Sequence, residues 1–382
     1  MKIGILTVPF NNNYGGLLQA FALKRVLVDM GHEVIFVNRR RNKSKGLKAR
    51  LKNFLISLHI VEDRRAKKIQ EISAFTNQFK QKYLSPITEE YFTTNELSKC
   101  LDIGIDCFVV GSDQVWRYRY AKDSIDDFFF NFLENTSIPR FSYAASMGTD
   151  EMEYPQDKIA ACSKLLTEFS SVSVRESSAL GLLKTYFGYN NAKVVLDPTL
   201  LLDKQQYVDL FKDAFPQLDK KYVFIYILDE TEEIKIAIDT FAKEKKMDVV
   251  DLKAQTGDWR KWKTIEHVEK WLSAIYYSEY VITDSFHGTV FSIIFNKPFI
   301  TIANLKRGAA RLSDLLQRFQ LNNRLTSSVS GMGKLLNSDI NWEAVNEIWD
   351  SERKFSFEYL ECAFKLSADI MLNPLEPNYT LK

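Results

Sequence analysis

The sequence is poor in the residue types that build disulfide frameworks and metal sites. Its 382 residues include only four cysteines and four histidines. The cysteines, Cys100, Cys107, Cys162 and Cys362, follow neither a CxxC motif nor a zinc-binding spacing. We interpret them as buried thiols of a protein in a reducing compartment. The composition therefore gives no reason to expect a bound metal.

Long apolar segments and a strong charge of either sign are also missing. No run of about 18 apolar residues is present, so we expect no transmembrane helix. The first residues, Met1 to Val8, predict a strand and not a signal peptide, because the apolar run is short and continues into a turn. The net charge of +2 requires no polyanionic partner such as nucleic acid. We expect a cytoplasmic protein.

The chain has the length and the pattern of a two-domain α/β protein. A single core rarely grows to 382 residues. Near the N-terminus a strand at Ile3–Val8, a helix at Leu17–Met30 and a strand at Glu33–Asn38 form a βαβ unit, which indicates a parallel sheet. A second series of strands and helices starts after Asp197-Pro198.

These patterns predict two Rossmann-like, doubly wound domains with a long helix at 343–371. The architecture is that of the glycosyltransferase-B fold, in which the site lies in the cleft between the halves. We predict an N-terminal domain at 1–205, a second domain at 206–330 and a C-terminal helical segment at 331–382. In such folds ligands bind at the carboxyl ends of the parallel strands.

The segment around His287 is the most informative part of the sequence. A strand at Tyr280–Thr283 leads through a polar turn to an apolar helix predicted at Gly288–Phe295, and His287 stands at the junction. Unpaired amides at a helix start favour an anion, and a histidine adds a donor and a titratable proton. A histidine that only caps the helix or fills the core is the alternative.

Two further strand ends carry polar side chains that could reach the same edge of the sheet. Asp113 follows a buried strand and could act as a base toward a hydroxyl, or cap the next turn. Arg175 ends another strand and could clamp a carboxylate or phosphate, or pair with Glu176 at the surface or across the domains. Asp197-Pro198-Thr199 fits a turn that closes the first domain.

The turn before the first helix is rich in asparagine and glycine. Gly15 and Gly16 let the backbone approach a ligand, although a tight turn explains them equally well. Gln19, one turn into the helix, could point into the same cleft.

The segment Arg39–Lys52 is basic, with eight Lys/Arg and no acidic residue. Leucines at helical spacing follow it, so residues 39–58 could lie on an anionic membrane surface. A solvated helix or loop whose leucines pack on the domain is the alternative, and the one we favour.

Taken together, these motifs resemble the polysaccharide pyruvyl transferase family over roughly residues 3 to 320. The resemblance is carried by the N-terminal Asn/Gly turn and by four motifs. These are Gly-Ser-Asp-Gln at 111–114, Ser-Val-Arg-Glu at 173–176, Leu-Asp-Pro-Thr at 196–199 and Asp-Ser-Phe-His-Gly at 284–288. The family motif often has Arg-Leu before the histidine, where this chain has Ser285-Phe286.

The resemblance implies an enzyme that moves a pyruvyl group from phosphoenolpyruvate onto a sugar of a surface polysaccharide or its lipid-linked precursor. It implies no cofactor or metal beyond this co-substrate. His287 and Asp113 would be catalytic. Donor binding would fall to Arg175, Ser285, Phe286, His287 and Gly288, and the acceptor side of the cleft to Asn13, Tyr14, Gly15, Gly16, Gln19 and Ser112.

Two other functions stay open at this point. A glycosyltransferase that uses a nucleotide sugar would share the architecture, and Glu266 or Asp284 could hold its ribose hydroxyls. A non-catalytic module that recruits assembly enzymes to the membrane would need neither His287 nor Arg175.

Overall fold

The computed structural model describes residues 1–41, 64–217, 219–252, 263–304 and 308–373. The first domain is built on a six-stranded sheet in the order β2-β1-β3-β4-β5-β6, and all of its strand pairs are parallel. Its strands are β1 (Lys2–Leu6), β2 (Glu33–Val37), β3 (Cys107–Asp113), β4 (Arg140–Ala145), β5 (Ser173–Val174) and β6 (Lys193–Val194).

A second parallel sheet has five strands in the order β11-β10-β9-β7-β8. Its central strands are buried on both faces, as expected of a sheet covered by helices on both sides. The strands are β7 (Tyr222–Tyr226), β8 (Asp248–Asp251), β9 (Tyr280–Thr283), β10 (Phe299–Ile302) and β11 (Leu325–Thr326).

Helices connect the strands of both sheets. In the first half they are α1 (Tyr14–Asp29), α2 (Arg64–Ile72), α3 (Ala74–Phe79), α4 (Thr94–Leu97), α5 (Tyr118–Ala121), α6 (Gln156–Leu166) and α7 (Ser177–Phe187). In the second half they are α8 (Lys204–Phe211), α9 (Glu232–Lys245), α10 (Val268–Tyr276), α11 (Phe286–Ile294), α12 (Ala309–Arg318), α13 (Met332–Leu336) and α14 (Trp342–Leu372).

Side-chain caps decide where the two helices at the cleft begin. The Asn13 side chain accepts a hydrogen bond from Gly16 N at 3.3 Å, so α1 begins at Tyr14 and not at Leu17. Ser285 accepts from Gly288 N at 3.4 Å, so α11 begins at Phe286 and not at Gly288. Both predicted helix starts were therefore wrong, because hydrophobic periodicity does not register a cap. His287 becomes the second residue of a helix.

The long helix α14 returns to the first domain and packs on its sheet. The Trp349 indole donates to the Leu200 carbonyl at 2.7 Å, and the Tyr359 hydroxyl donates to the Ser142 carbonyl at 2.8 Å. Both aromatic side chains are buried. The last helix thus ties the end of the second domain back to the first.

Direct contacts also join the two domains beside the cleft. Tyr14 stacks on Trp271 with ring centroids 5.5 Å apart and lies 5.9 Å from the Tyr226 ring. Ser177 N, at the start of α7, donates to Asp314 of α12 at 3.1 Å. These contacts fix how the rims of the two sheets face each other.

Two sequence predictions can be compared with the fold, and a third lies mostly outside the described residues. Cys100, Cys107 and Cys162 are buried, but Cys362 is exposed on α14, so the prediction of four buried thiols was wrong for this residue. Within the described part of the chain, no helix is long and apolar enough to span a bilayer. Most of the basic segment lies at 42–63, outside the described residues.

Candidate functional site

A cleft of about 970 Å³ lies between the carboxyl ends of the two sheets. Both domains supply its walls. From the first come Asn13, Gly16 and Asp113, and from the second come Ser285, Phe286, His287 and Arg311. The volume is at the upper end of the 300–1,000 Å³ common for small-molecule sites. This is the position at which the sequence predicted a ligand site.

His287 reaches across the domain boundary to a carboxylate of the first domain. Its Nε2 is buried and lies 3.7 Å from Asp197 Oδ2, longer than a hydrogen bond but within ion-pair distance. The side chain is 8% exposed while its residue lines the cleft. His287 therefore presents only a small part of its ring to a ligand and keeps the rest against Asp197.

The His287 ring also packs against the first turn of α1. A Cβ added to Gly15 would lie 2.0 Å from His287 Nδ1, far inside the contact distance of real atoms. Gly16 is not crowded in this way, since its added Cβ would lie 3.7 Å from the nearest atom. The requirement for glycine at position 15 is thus explained by the close approach of His287.

Asp197 is the residue that joins the separate motifs. Its Oδ1 accepts from Thr199 N at 3.1 Å, and its Oδ2 accepts from Arg175 Nη1 at 2.7 Å and from Ser112 Oγ at 3.3 Å. Burial alone would raise the pKa of Asp197, but His287, Arg175 and Thr199 together hold it well below its ordinary value. Asp197 is a permanent buried carboxylate beside the imidazole.

Arg175 lies behind the cleft wall at the centre of an ion-pair cluster. Besides Asp197, it lies 3.4 Å from Asp113 and 3.7 Å from Glu176, and its side chain is only 2% exposed. Its guanidinium stacks on the Phe286 ring at 4.2 Å. Donor clamping by Arg175 stays a prediction. In this structure its charge is engaged by three carboxylates.

Glu176 is buried as firmly as Arg175, so a pair at the surface is not what these residues form. Its Oε1 accepts from Met147 N at 2.9 Å and from Gly148 N at 3.1 Å, and also from the Ser146 hydroxyl. These bonds fix the loop after β4 beside the ion-pair cluster. The Arg175–Glu176 pair is therefore part of the support of the site.

Arg311, which the sequence analysis did not single out, is a further arginine of the cleft wall. It lines the cleft, and its guanidinium lies over the Phe286 ring, 5.7 Å from the ring centroid. Burial, followed by the nearby charge of Arg175, lowers the pKa of Arg311 to about 10. No sequence motif marks Arg311, because it lies in the first turn of α12 and not at a strand end.

Four predicted cleft residues, Tyr14, Gly15, Gln19 and Ser112, are not among the residues that line the cleft, and Gly15 is covered by the His287 ring. Gln19 is buried, and its amide donates to Thr7 Oγ1 at 3.2 Å and accepts from Ser112 N at 3.2 Å. Ser112 is buried beneath Asp197. Tyr14 is buried in the aromatic stack between the domains, and burial raises its pKa. The predicted placement of these side chains in the cleft is corrected, because each is used by the fold.

Ser285 and Gly288, both predicted to bind the donor, each have a structural task, and only Ser285 is among the residues that line the cleft. Ser285 caps α11 and lines the cleft. A Cβ on Gly288 would lie 2.3 Å from Thr283 Oγ1, so the helix packs on the end of β9 only with glycine there. Both residues therefore help to place His287, and their contact with a donor stays a prediction.

Asp284 is also engaged by the fold. Its two oxygens accept from Leu228 N at 2.7 Å and from Asp229 N at 3.1 Å, and the Asn304 amide adds a further bond. A carboxylate used in this way is poorly placed to hold ribose hydroxyls. Among the residues described, no group of three or more His, Cys, Asp or Glu side chains could hold a metal ion.

Solved structures that resemble the whole chain have the glycosyltransferase-B fold. UDP-N-acetylglucosamine 2-epimerase from Rickettsia bellii is 10% identical with a TM-score of 0.52, covering 98% of this chain and 99% of its own. A variant of the wall teichoic acid polymerase TagF is 12% identical with a TM-score of 0.50, covering 97% and 89%. The protein therefore consists of two Rossmann-like domains of this class.

The family follows from the sequence itself. The model of the family described as polysaccharide pyruvyl transferase matches residues 13–306, which include the motifs at 111–114, 173–176, 196–199 and 284–288. The chain belongs to the polysaccharide pyruvyl transferase family, and the predicted resemblance is confirmed. None of the curated protein sequences matches it.

Proposed function

We propose that this protein transfers the pyruvyl group of phosphoenolpyruvate to two hydroxyls of a saccharide, forming a pyruvate ketal and releasing phosphate. One observation carries the proposal. In a member of this family, the imidazole of His287 stands at the cleft wall with the buried Asp197 carboxylate 3.7 Å from its Nε2. A histidine positioned by a carboxylate is suited to proton transfer.

The charge around His287 suits the donor. Phosphoenolpyruvate carries a carboxylate and a phosphate, and the cleft offers the Arg311 guanidinium and the N-terminus of α11 on the same wall. Arg311 and Arg175 both lie against the Phe286 ring, which therefore connects the cleft arginine to the ion-pair cluster. We propose Arg311 as the main donor-binding cation, with Arg175 supporting the carboxylates behind it.

The reaction then proceeds by protonation and addition. His287 gives a proton to the methylene carbon of the donor, and the positive charge that develops on the neighbouring carbon is attacked by a sugar hydroxyl. The carbon–oxygen bond to phosphate breaks, phosphate leaves with the bonding pair, and the second hydroxyl closes the ketal. Of the two hydroxyl protons, one returns through the base to His287 and the other leaves with phosphate, so the protonated histidine is restored.

Asp113 is the candidate base for the acceptor hydroxyl. It lines the cleft, its backbone adopts the left-handed region with φ of 64°, and its Oδ1 lies 3.4 Å from Arg175 Nη2. Left-handed backbone at a non-glycine residue is often found at functional sites. The position supports the predicted role.

The transfer contains no redox step, so we propose no cofactor beyond the co-substrate. We propose a cytoplasmic location for the enzyme. A lipid-linked acceptor and membrane contact through residues 39–58 stay predictions.

The test is release of inorganic phosphate from phosphoenolpyruvate in the presence of pooled saccharide acceptors. We expect release that requires both the acceptor and His287, so the His287→Asn variant should release none above background. Acceptor-dependent release that His287→Asn leaves intact would overturn the mechanism. Absence of both release and donor binding, together with a thermal shift by UDP-sugars, would instead support a nucleotide-sugar glycosyltransferase.

A further inference from the structure

We propose that Arg40 and Lys80 form a second anion-binding subsite in the same cleft, which takes a phosphate or diphosphate ester on the acceptor saccharide. The inference rests on the proposed function and adds the class of acceptor. Both side chains line the cleft that contains His287 and Arg311. Neither belongs to the motifs that define the family resemblance.

Lys80 lies at the end of α3, where the helix passes beside the asparagine-rich turn. Its Nζ donates to Asn77 Oδ1 at 2.8 Å, and no carboxylate of the described residues lies within ion-pair distance of it. The neighbouring Asn12 is held by Ser73 at 2.7 Å and by Thr76 at 2.7 Å. The wall around Lys80 is therefore polar and fixed but lacks a counter-charge for the ammonium.

Arg40 follows β2 and faces the same part of the cleft. Its Nε lies 3.1 Å from Glu90 Oε1, a half-exposed carboxylate that offsets one charge. Arg39, next to it, forms a buried ion pair with Asp127. With Lys80 added, this wall keeps an excess of positive charge after its ion pairs are counted.

The charged form of Lys80 is destabilised at this wall. Burial, followed by the charge of Arg40, lowers the pKa of Lys80. Two cations that share a partly desolvated wall repel each other unless an anion lies between them. A phosphate oxygen there would replace lost hydration with charge-assisted hydrogen bonds.

The subsite lies away from the proposed donor cation Arg311, which packs against the same Phe286 ring as Arg175. Arg40 follows β2 and Arg175 follows β5, and these strands are four neighbours apart in the sheet. At a spacing of about 4.8 Å between strands, the carboxyl ends of β2 and β5 are roughly 19 Å apart. A three-carbon phosphoester cannot span this distance, whereas a saccharide with an ester at its reducing end can.

Nucleotide sugars and polyprenyl-linked sugars both carry a diphosphate at that end, so the chemistry alone does not separate them. The experiment starts from inorganic pyrophosphate as the probe, titrated by calorimetry into the full chain saturated with phosphoenolpyruvate. We expect pyrophosphate to bind and Lys80→Gln or Arg40→Gln to weaken it at least about tenfold, the loss of one charge-assisted contact. Lys82→Gln is the control, since Lys82 is exposed over the Tyr83 ring on the same helical segment.

Pyrophosphate that binds Lys80→Gln as tightly as the wild type would overturn the proposal. Loss of phosphoenolpyruvate binding in Lys80→Gln would also overturn it, because the residue would then belong to the donor site. Failure of the proposed function is distinct, since the wild type would then bind pyrophosphate but not phosphoenolpyruvate. The variants should keep the wild-type thermal midpoint, because removing a repelled charge costs the fold little.

The source of the diphosphate is decided by displacement. A short-chain polyprenyl diphosphate saccharide and UDP-glucose are each tested for release of bound pyrophosphate from the wild type. Displacement by the first alone supports a lipid-linked acceptor, and displacement by the second supports a nucleotide-linked one. If neither displaces pyrophosphate, the subsite does not serve a sugar diphosphate and the proposal fails.

Discussion

The imidazole of His287 lies directly on the backbone of Gly15, so that a Cβ at position 15 would fall 2.0 Å from Nδ1. The two residues belong to different domains and are separated by most of the chain. A side chain of the second domain therefore packs directly on the first turn of α1. With Asp197 on its other side, the ring is held by the first domain on both edges.

The contact between Gly15 and His287 predicts a specific effect of adding one methyl group. Gly15→Ala should displace the imidazole and lower phosphate release by about a hundredfold, the cost of moving a catalytic group by roughly 1 Å. The KM for phosphoenolpyruvate should change much less. Steady-state phosphate release measures both quantities.

The matched control is Gly181→Ala, which makes the same change in an exposed part of α7. A Cβ there meets nothing within 4 Å, so the variant should keep wild-type activity and gain about 0.5–1 kcal/mol of stability. Equal activity of Gly15→Ala and Gly181→Ala would show that the packing of His287 on Gly15 is irrelevant to catalysis.

Replacement of His287 by asparagine should abolish the chemistry while the cleft stays formed. General acid–base catalysis contributes about 10² to 10⁴ to a rate. His287→Asn should therefore lose activity by at least this factor and still bind phosphoenolpyruvate in a thermal-shift assay. His32→Asn removes a ring that packs against Phe364 away from the cleft, and this variant should stay active. Activity retained by His287→Asn would refute proton transfer by this residue.

Replacement of Arg311 should weaken the binding of phosphoenolpyruvate. Arg311→Gln should raise the KM for phosphoenolpyruvate about tenfold or more, because a charge-assisted contact to the donor is lost. Arg311→Lys should fall between, since it keeps the charge and loses the planar stack on Phe286. Initial-rate kinetics over a range of donor concentrations give the values.

The control for Arg311→Gln is Arg318→Gln, on the same helix α12. Arg318 is engaged by Glu352 and the Val195 carbonyl and is not among the residues that line the cleft. Its KM should stay at the wild-type value. A KM for Arg311→Gln that matches Arg318→Gln would remove Arg311 from the donor site and return the clamp to Arg175.

Strand ends were the part of the site that the sequence could predict. Asp113 and Arg175 stand at the carboxyl ends of strands of the first sheet, and His287 follows a strand of the second. The structure brings the three together where the two sheet edges face each other. The engagement of Arg175 by Asp197 was not predictable, because it depends on packing between β5 and the turn after β6. Arg311 was missed for the same reason, as a helix of the second domain brings it in.

Two errors came from treating polar residues near the turn as ligand contacts. Gln19 and Ser112 have the chemistry of a cleft residue, but their partners are Thr7 and Asp197 inside the first domain. Periodicity cannot tell whether a polar side chain at a strand end meets solvent or another strand. Asp197 is the opposite case. The sequence predicted only a structural turn there, but its carboxylate contacts Arg175, Ser112 and His287.

Asp197 should also contribute to stability in a pH-dependent way. Burial raises the pKa of Asp197, but His287 and Arg175 lower it more, so the pKa in the folded protein lies well below the unfolded value. A depressed carboxyl pKa contributes stability that is fully present above the unfolded pKa of about 3.9 and is lost as the pH falls toward the folded value. Asp197→Asn should therefore cost about 3 kcal/mol near pH 7, with a smaller difference below about pH 4.

Urea unfolding of wild type and Asp197→Asn at a series of pH values measures this difference. Asp209→Asn is the control, because Asp209 pairs with Lys212 on the surface of α8 and screening by solvent leaves that pair little to contribute. A cost of Asp197→Asn that stays constant from pH 7 down to pH 3.5 would mean that the effect comes from packing and not from the buried charge. A cost that shrinks on acidification, with Asp209→Asn near the wild type throughout, identifies the ion-pair cluster as the electrostatic support of the His287 site.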